Sequence, residues 1–303
     1  MWRHAKPLIQ PAEAQRPATD FAVLVVDDSI LEKAHNDTSE LIFTPWDHRQ
    51  QRYVRGLNFV SLLYQTDALS MPIGVKLVRK PLPVYHTKNQ LTTYQSPVTK
   101  NEYLQQMLRV AQQQVAYRYL LADSWYASAE NMNQVRELGH DFIFALPTSR
   151  TAARSEVARG NGEFQALDTL VFPEGQPLRV WLRGVVEAVL VVRQVFTNKD
   201  GSQGVLYLVS SDTSLTWEQV TIIYQKRWKI EEYHKSLKQN TSMGKSPTKT
   251  VETQANHFFS SILAYIKLEK LTLRLGIGHF RLKAQLYLRG LKAMHYMLTK
   301  MAA

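Results

Sequence analysis

"YQKRWKIEEYHKSLK", residues 224–238, sets glutamates among arginine, lysine, histidine and tyrosine in a stretch with helical spacing. At 3.6 residues per turn each position advances by about 100°. Tyr224, Arg227, Glu231 and Lys238 then fall within roughly 60° of one another, on one stripe of the predicted helix. Ile222, Ile223, Ile230, Tyr233 and Leu237 occupy a neighbouring sector, so the helix buries an apolar face and presents the polar stripe beside it. Two readings of the stripe stay open: a working surface, or a solvated face in which Arg227 and Glu231 form an i,i+4 pair contributing only a few tenths of a kcal/mol.

The chain around it has 303 residues and is 45% hydrophobic, enough for a sizeable core in one large domain or two ordinary ones. Its 37 Lys and Arg against 26 Asp and Glu leave a net charge of +11, the electrostatic footprint of a nucleic-acid binder. The longest apolar runs, "FAVLVV" and "AVLVV", are far too short to span a membrane, so no membrane partner is expected. Zero cysteines exclude disulfides, thiolate metal sites and cysteine nucleophiles, and are compatible with a reducing cytoplasm. Residues 1–20 contain basic residues and prolines without a secretory apolar segment, and read as an N-terminal tail.

Three strands are predicted first: "FAVLVVDD" (21–28), "LNFVSLLYQTD" (57–67) and "MPIGVKLVRKP" (71–81), an antiparallel meander. A helix at 100–114, a strand at 117–123, a helix at 128–139 with Ser128 as N-cap and Gly139 past its end, and the strand "DFIFALP" complete the order βββαβαβ. That order fits a mixed sheet with helices on its faces. Residues 148–216 are β-rich, with "NKDGSQG" as a hairpin turn, and helical pattern then resumes, pausing only at the loop "NTSMGKSPTKT".

Asp27 and Asp28 end the first predicted strand and Asp123 ends the fourth, where neighbouring strands bring side chains to one sheet edge. Glu231 offers a third carboxylate. Acids converging without nearby cations repel one another, and Mg²⁺ or Mn²⁺ is the usual remedy. Two such ions activate an attacking hydroxyl and stabilise the leaving oxygen in phosphoryl transfer. The rival readings are structural: "SILE" (29–32) has the form of a capping box, and Asp123 suits a turn or cap. Asp47 is a weaker acid candidate. His48 and His234, at no ligand spacing, read as surface or packing residues.

The spacing Tyr224-x2-Arg227-x3-Glu231-x6-Lys238 resembles the Tyr-Arg-Glu-Lys signature of DDE transposases from bacterial insertion sequences of the IS-four type. "VVDDS" resembles that family's first-acid motif and "LLADSWY" its second, with Ser29 in place of the usual threonine. The resemblance covers roughly residues 20–275. It implies a ribonuclease H-like α/β core: a mixed five-stranded sheet with flanking helices and a β-rich insertion between the second and third acids. It further implies that Asp27, Asp123 and Glu231 are catalytic and hold two Mg²⁺ (or Mn²⁺) ions. Tyr224, Arg227 and Lys238 would contact the transposon-end strand, and Trp181 in the insertion could stack on a flipped base. The implied reaction is cleavage at transposon ends and strand transfer into target DNA, by a homodimer assembled on double-stranded DNA in the bacterial cytoplasm, at the nucleoid.

The corresponding division is a tail at 1–20, core at 21–147, insertion at 148–216, core again at 217–275 and a basic C-terminal helix at 276–303 with Arg281, Lys283, Arg289 and Lys292. Relatives usually carry a helical DNA-binding region ahead of the core, which raises the rival expectation of a truncated, inactive DNA-binding remnant; because a fold does not fix function, a structure-selective nuclease on the same fold is a second rival.

Overall fold

The first acid motif lies inside a strand rather than at its end. In the computed structural model, which describes residues 1–17, 20–47, 50–88, 90–198, 200–246 and 248–301, strand β1 runs Val23–Glu32. The "SILE" segment therefore continues the strand, and no helix starts there. β2 (Gly56–Gln65) pairs antiparallel with β1 along its length, and β3 (Ser70–Leu77) pairs antiparallel with β2, so the predicted meander is present. Helix α2 (Lys100–Ala111) begins with a capping box at Thr99 and leads to β4 (Tyr119–Ala122). Helix α3 (Ala129–Glu137), capped by Ser128, leads to β5 (Asp141–Leu146). β4 lies parallel to both β1 and β5. The five strands stand in the order β3-β2-β1-β4-β5, the mixed sheet expected of a ribonuclease H-like core.

Residues 1–20 are not a simple tail. Helix α1 (Trp2–Ala14) buries Ala5 and Ile9 completely and packs against β3. Pro7 and Pro11 lie inside this helix, an arrangement that removes two backbone donors and that the sequence pattern does not advertise. The Tyr64 hydroxyl donates to Glu13 Oε1 at 3.1 Å, tying the end of α1 to β2.

The insertion continues the sheet. Short strands β6 (Thr151–Ala153) and β7 (Gln165–Ala166) are followed by β8 (Leu178–Leu182), β9 (Val189–Thr197) and β10 (Gln203–Ser210). β10 pairs antiparallel with β5, so the core sheet extends through β10, β9 and β8 instead of stopping at five strands. The alternative, an open edge on β5, would leave a row of backbone groups unpaired.

The helical pattern that resumes at 216–239 folds as two helices, α4 (Trp217–Gln225) and α5 (Trp228–Asn240). Between them the backbone N–H groups of Lys226, Arg227, Lys229 and Ile230 bond three residues back, the tighter 3₁₀ pattern. This adds about 20° of winding per residue and shifts the phase of everything downstream. Ile223, Ile230, Tyr233 and Leu237 are buried, but Ile222 is 61% exposed, outside the sector predicted for it. Helices α6 (Val251–Leu275) and α7 (His279–Met301) follow. Buried His279 holds α7 in place: its Nδ1 is 2.8 Å from Ser236 Oγ on α5, and its Nε2 is 2.8 Å from Glu269 Oε2 on α6.

The two faces of the sheet are separately covered. Phe59 meets the rings of His234 and Phe258, so its face of β2 carries α5 and α6. Gly74 faces the other way: a Cβ there would meet Met107 Sδ at 2.8 Å, and its absence lets α2 approach closely. No helix among the described residues is long and apolar enough to cross a membrane.

Candidate active site

Pairing between parallel β1 and β4 stops at Val25 and Leu121, and the same offset carried two residues further sets Asp123 level with Asp27. There the chain leaves the sheet through a 3₁₀ turn at Ser124–Tyr126, for which Asp123 is the N-cap. Its Oδ1 accepts the Trp125 backbone N–H at 3.0 Å. Asp123 is thus a cap residue and also an acid level with Asp27.

Side chains alternate across a strand, so Asp27 and Asp28 face opposite ways. Asp27 points to the α5 side, where His234 Nδ1 lies 3.9 Å from its Oδ2. Ser29, on the same face, accepts a hydrogen bond from Lys238 Nζ at 2.7 Å. Asp28 turns toward α2, where its Oδ2 pairs with Lys100 Nζ at 2.7 Å and accepts from Asn58 Nδ2 at 3.4 Å. The Tyr126 hydroxyl donates to its Oδ1 at 3.3 Å.

The stripe read from 224–238 faces these strand ends. The Tyr224 hydroxyl donates to the Ala122 carbonyl at 3.3 Å. The Arg227 guanidinium lies 5.7 Å from the centre of the Tyr224 ring and 3.9 Å from Glu231 Oε1. The i,i+4 pair therefore exists, but it is long and sits beside two further acids. The structure brings Asp27, Asp123, Glu231, Tyr224, Arg227 and Lys238 to one edge of the sheet.

Electrostatics show how closely the acids feel one another. Burial, then the negative charges of Asp123, Asp28 and Glu231, push the Asp27 carboxyl up to about 8, with Arg227 opposing. Burial raises Asp123 as well, against the Trp125 N–H and Arg227, which favour its charged form. Burial pushes the Tyr224 phenol up to about 12, so it remains a protonated donor at neutral pH. His234 is held down to about 3 by burial first and then by Lys238, and is neutral.

Residues 20–267 match the family model described as the transposase DDE domain. The chain belongs to the DDE transposase family. No curated protein is significantly similar to it. The match takes in every element of the transposase from β1 through the greater part of α6, and hence every site residue named above.

DDE transposases generally use divalent metal ions. Among the described residues of this one, no three carboxylate or imidazole groups stand close enough together to chelate an ion. The donor set nevertheless fits a hard divalent cation: the acids supply only oxygen, and their mutual repulsion at Asp27 is of the sign a cation relieves. Trp181 lies apart on β8, partly buried, with the Arg179 guanidinium 5.9 Å from its ring centre. Asp47 accepts both the backbone N–H and the side-chain amide of Gln50, holding its own turn. His48 lies outside the described residues.

Sequence reasoning missed two neighbours of the transposase's acids. Lys100 opens α2 as an ordinary helix-start residue, and only the tertiary fold lays it on Asp28. Trp125, 58% exposed beside Asp123, was legible as an aromatic two residues after an acid, with nothing in the sequence to show that it stays in solvent.

Proposed function

We propose that this transposase cuts DNA at the ends of an insertion sequence of the IS-four type and joins the freed 3′ hydroxyl to target DNA. Asp27, Asp123 and Glu231 would hold two Mg²⁺ or Mn²⁺ ions, and Tyr224, Arg227 and Lys238 the phosphates beside the cut. The observation that carries the reading is the shared edge: Asp123 and Glu231, far from Asp27 in the chain, raise its carboxyl pKa there, with an arginine and a lysine alongside. When bound, the ions supply charge for activating a hydroxyl and stabilising a leaving oxygen.

The chain's own groups do the positioning. Arg227 can fork onto two phosphate oxygens, and Lys238 adds a point charge from the next turns of the same helix face. Tyr224, kept neutral, contributes a donor that neither repels phosphate nor carries its own charge. In this reading the core comprises 21–147 and 217–275, the insertion 148–216, and the basic helix 276–303 adds sequence-independent phosphate contacts. Trp181 receives the displaced base if a hairpin forms. The active species is a homodimer on two DNA ends, at the bacterial nucleoid.

The test is cleavage of a plasmid carrying the element's own ends, with Mg²⁺ or Mn²⁺. Ends should be cut by the unmodified chain, and Glu231→Gln should lower the rate at least about a hundredfold, the scale of losing a group that acts in the transition state. Cleavage unaffected by Glu231→Gln would overturn the proposal.

A further inference from the structure

Lys226 stands one residue before Arg227 in the junction between α4 and α5, and its side chain reaches back to the segment that enters β1. Its Nζ lies 2.9 Å from Asp20 Oδ1, 2.9 Å from Asp67 Oδ1 in the turn between β2 and β3, and 3.4 Å from the Phe21 carbonyl. These contacts occupy all three donors of the ammonium. The Asp20 side chain is 8% exposed and also accepts the Asp67 backbone N–H at 3.3 Å, so the anchor is itself fixed. Lys226 Nζ further sits over the Phe21 ring, 4.7 Å from its centre, and Phe21 packs edge-on against Tyr119, the first residue of β4. One side chain thus ties the junction to the entries of β1 and β4, the strands that lead to Asp27 and Asp123.

The local backbone gives no other reason for the junction. Lys226 (φ −58°, ψ −21°) and Arg227 (φ −57°, ψ −32°) both keep right-handed helical dihedrals, and no Pro, Gly or side-chain cap interrupts the run. A continuous α-helix is therefore only small dihedral changes away. Each residue converted from 3₁₀ to α winding would turn Tyr224 and Arg227 by about 20° relative to Glu231. At a side-chain radius of about 5–6 Å, that is a displacement of about 2 Å. A misplacement of about 1 Å can already cost a hundredfold in rate. We propose that Lys226 is a positioning residue: its ion pairs hold the junction in its 3₁₀ winding and so set Tyr224 and Arg227 against the acids. The proposal rests on the reading of the chain as an enzyme that cuts DNA at Asp27, Asp123 and Glu231.

The experiment measures the cleavage rate of the element's own ends at saturating protein, together with DNA affinity, in a double-mutant cycle. Lys226→Met should lower the rate by about ten- to a hundredfold while affinity stays within about twofold, and Lys226→Arg should restore most of the rate. In an Arg227→Gln background, Lys226→Met should have little further effect, because it acts through Arg227. An unchanged rate, or the same fall in both backgrounds, overturns the positioning role. If Lys226→Met fails to fold, Asp67→Asn on the exposed turn removes one anchor and should lower the rate severalfold in the same Arg227-dependent way. Hydrogen exchange reads the junction without cleavage: the amides of 226–230 should exchange at least about tenfold faster in Lys226→Met than in the unmodified chain, with β1 and β4 unchanged. Unchanged exchange there overturns the proposal even if no ends are cut. The parent reading fails separately, through cleavage insensitive to Glu231→Gln.

Discussion

Lys238 Nζ donates to Ser29 Oγ at 2.7 Å across 209 residues of sequence, joining the signature helix to the strand that carries the first acid. The lysine therefore has a structural partner as well as a proposed phosphate. Lys238→Met should cost about 1 kcal/mol of stability, a typical single hydrogen bond. It should also reduce the slope of log K against log salt for DNA binding by about one, as expected for one lost phosphate contact. Ser29→Ala should show the stability loss alone. A salt titration of all three chains decides it: an unchanged slope in Lys238→Met would remove the phosphate role.

Asp27 and Asp28 are adjacent in sequence and opposite in surroundings, which predicts opposite phenotypes. Asp28 is matched by Lys100, Tyr126 and Asn58, so Asp28→Asn should destabilise the chain by about 1–3 kcal/mol, the range for hydrogen bonds to charged groups. Asp27, facing Glu231's helix, should respond in activity: Asp27→Asn is expected to lower cleavage at least about a hundredfold. Urea melts paired with cleavage rates separate the two, and the reverse assignment would show that Asp28 is the reacting acid.

The raised Asp27 carboxyl has a consequence for stability. Its pKa goes from an ordinary 3.8 to about 8 on folding, so the folded chain retains a proton that the unfolded chain releases. The contribution is full below 3.8 and is lost as pH rises toward 8. Asn cannot ionise, so Asp27→Asn should melt progressively higher than the unmodified chain over that window, by an amount on the order of a few kcal/mol at its upper end. Added Mg²⁺ should raise the melting temperature of the unmodified chain and have little effect on the variant. Parallel melting profiles across pH would refute this.

Much of this site was readable from spacing because helices and strands impose it. Tyr224, Arg227, Glu231 and Lys238 share a face through helical periodicity, and even the 3₁₀ turn at Lys226–Arg227 did not scatter them, though it carried Ile222 into solvent. Asp27 and Asp123 were legible as acids at strand ends, yet Asp27 is in mid-strand. What makes it an edge residue is that β4 stops short beside it, a fact of pairing that no local pattern contains. The helical nature of residues 2–14 was hidden for a different reason: Pro7 and Pro11 read as breakers, and burial of Ala5 and Ile9 against β3 outweighs their propensity. Lys100 on Asp28 joins residues 72 apart and depends on where α2 crosses the sheet.

His234 supplies the last prediction. It is buried against the rings of Phe59 and Tyr233, with Asp27 3.9 Å away and Lys238 on its own helix disfavouring its charged form. Burial prevails, and its pKa falls from 6.5 to about 3 on folding. Here the unfolded chain binds the extra proton, so the histidine's contribution is full above 6.5 and is lost as pH falls toward 3. Asp27 works in the opposite direction over part of the same range, so the informative quantity is the difference between chains rather than one melting curve. His234→Phe keeps a ring in the aromatic cluster and removes the titration. Relative to the unmodified chain, it should gain stability steadily as pH is lowered from neutral to about 4, reaching on the order of a few kcal/mol. A difference in melting temperature that stays constant with pH would mean that the folded chain accepts the proton, and that this imidazole is charged beside Asp27.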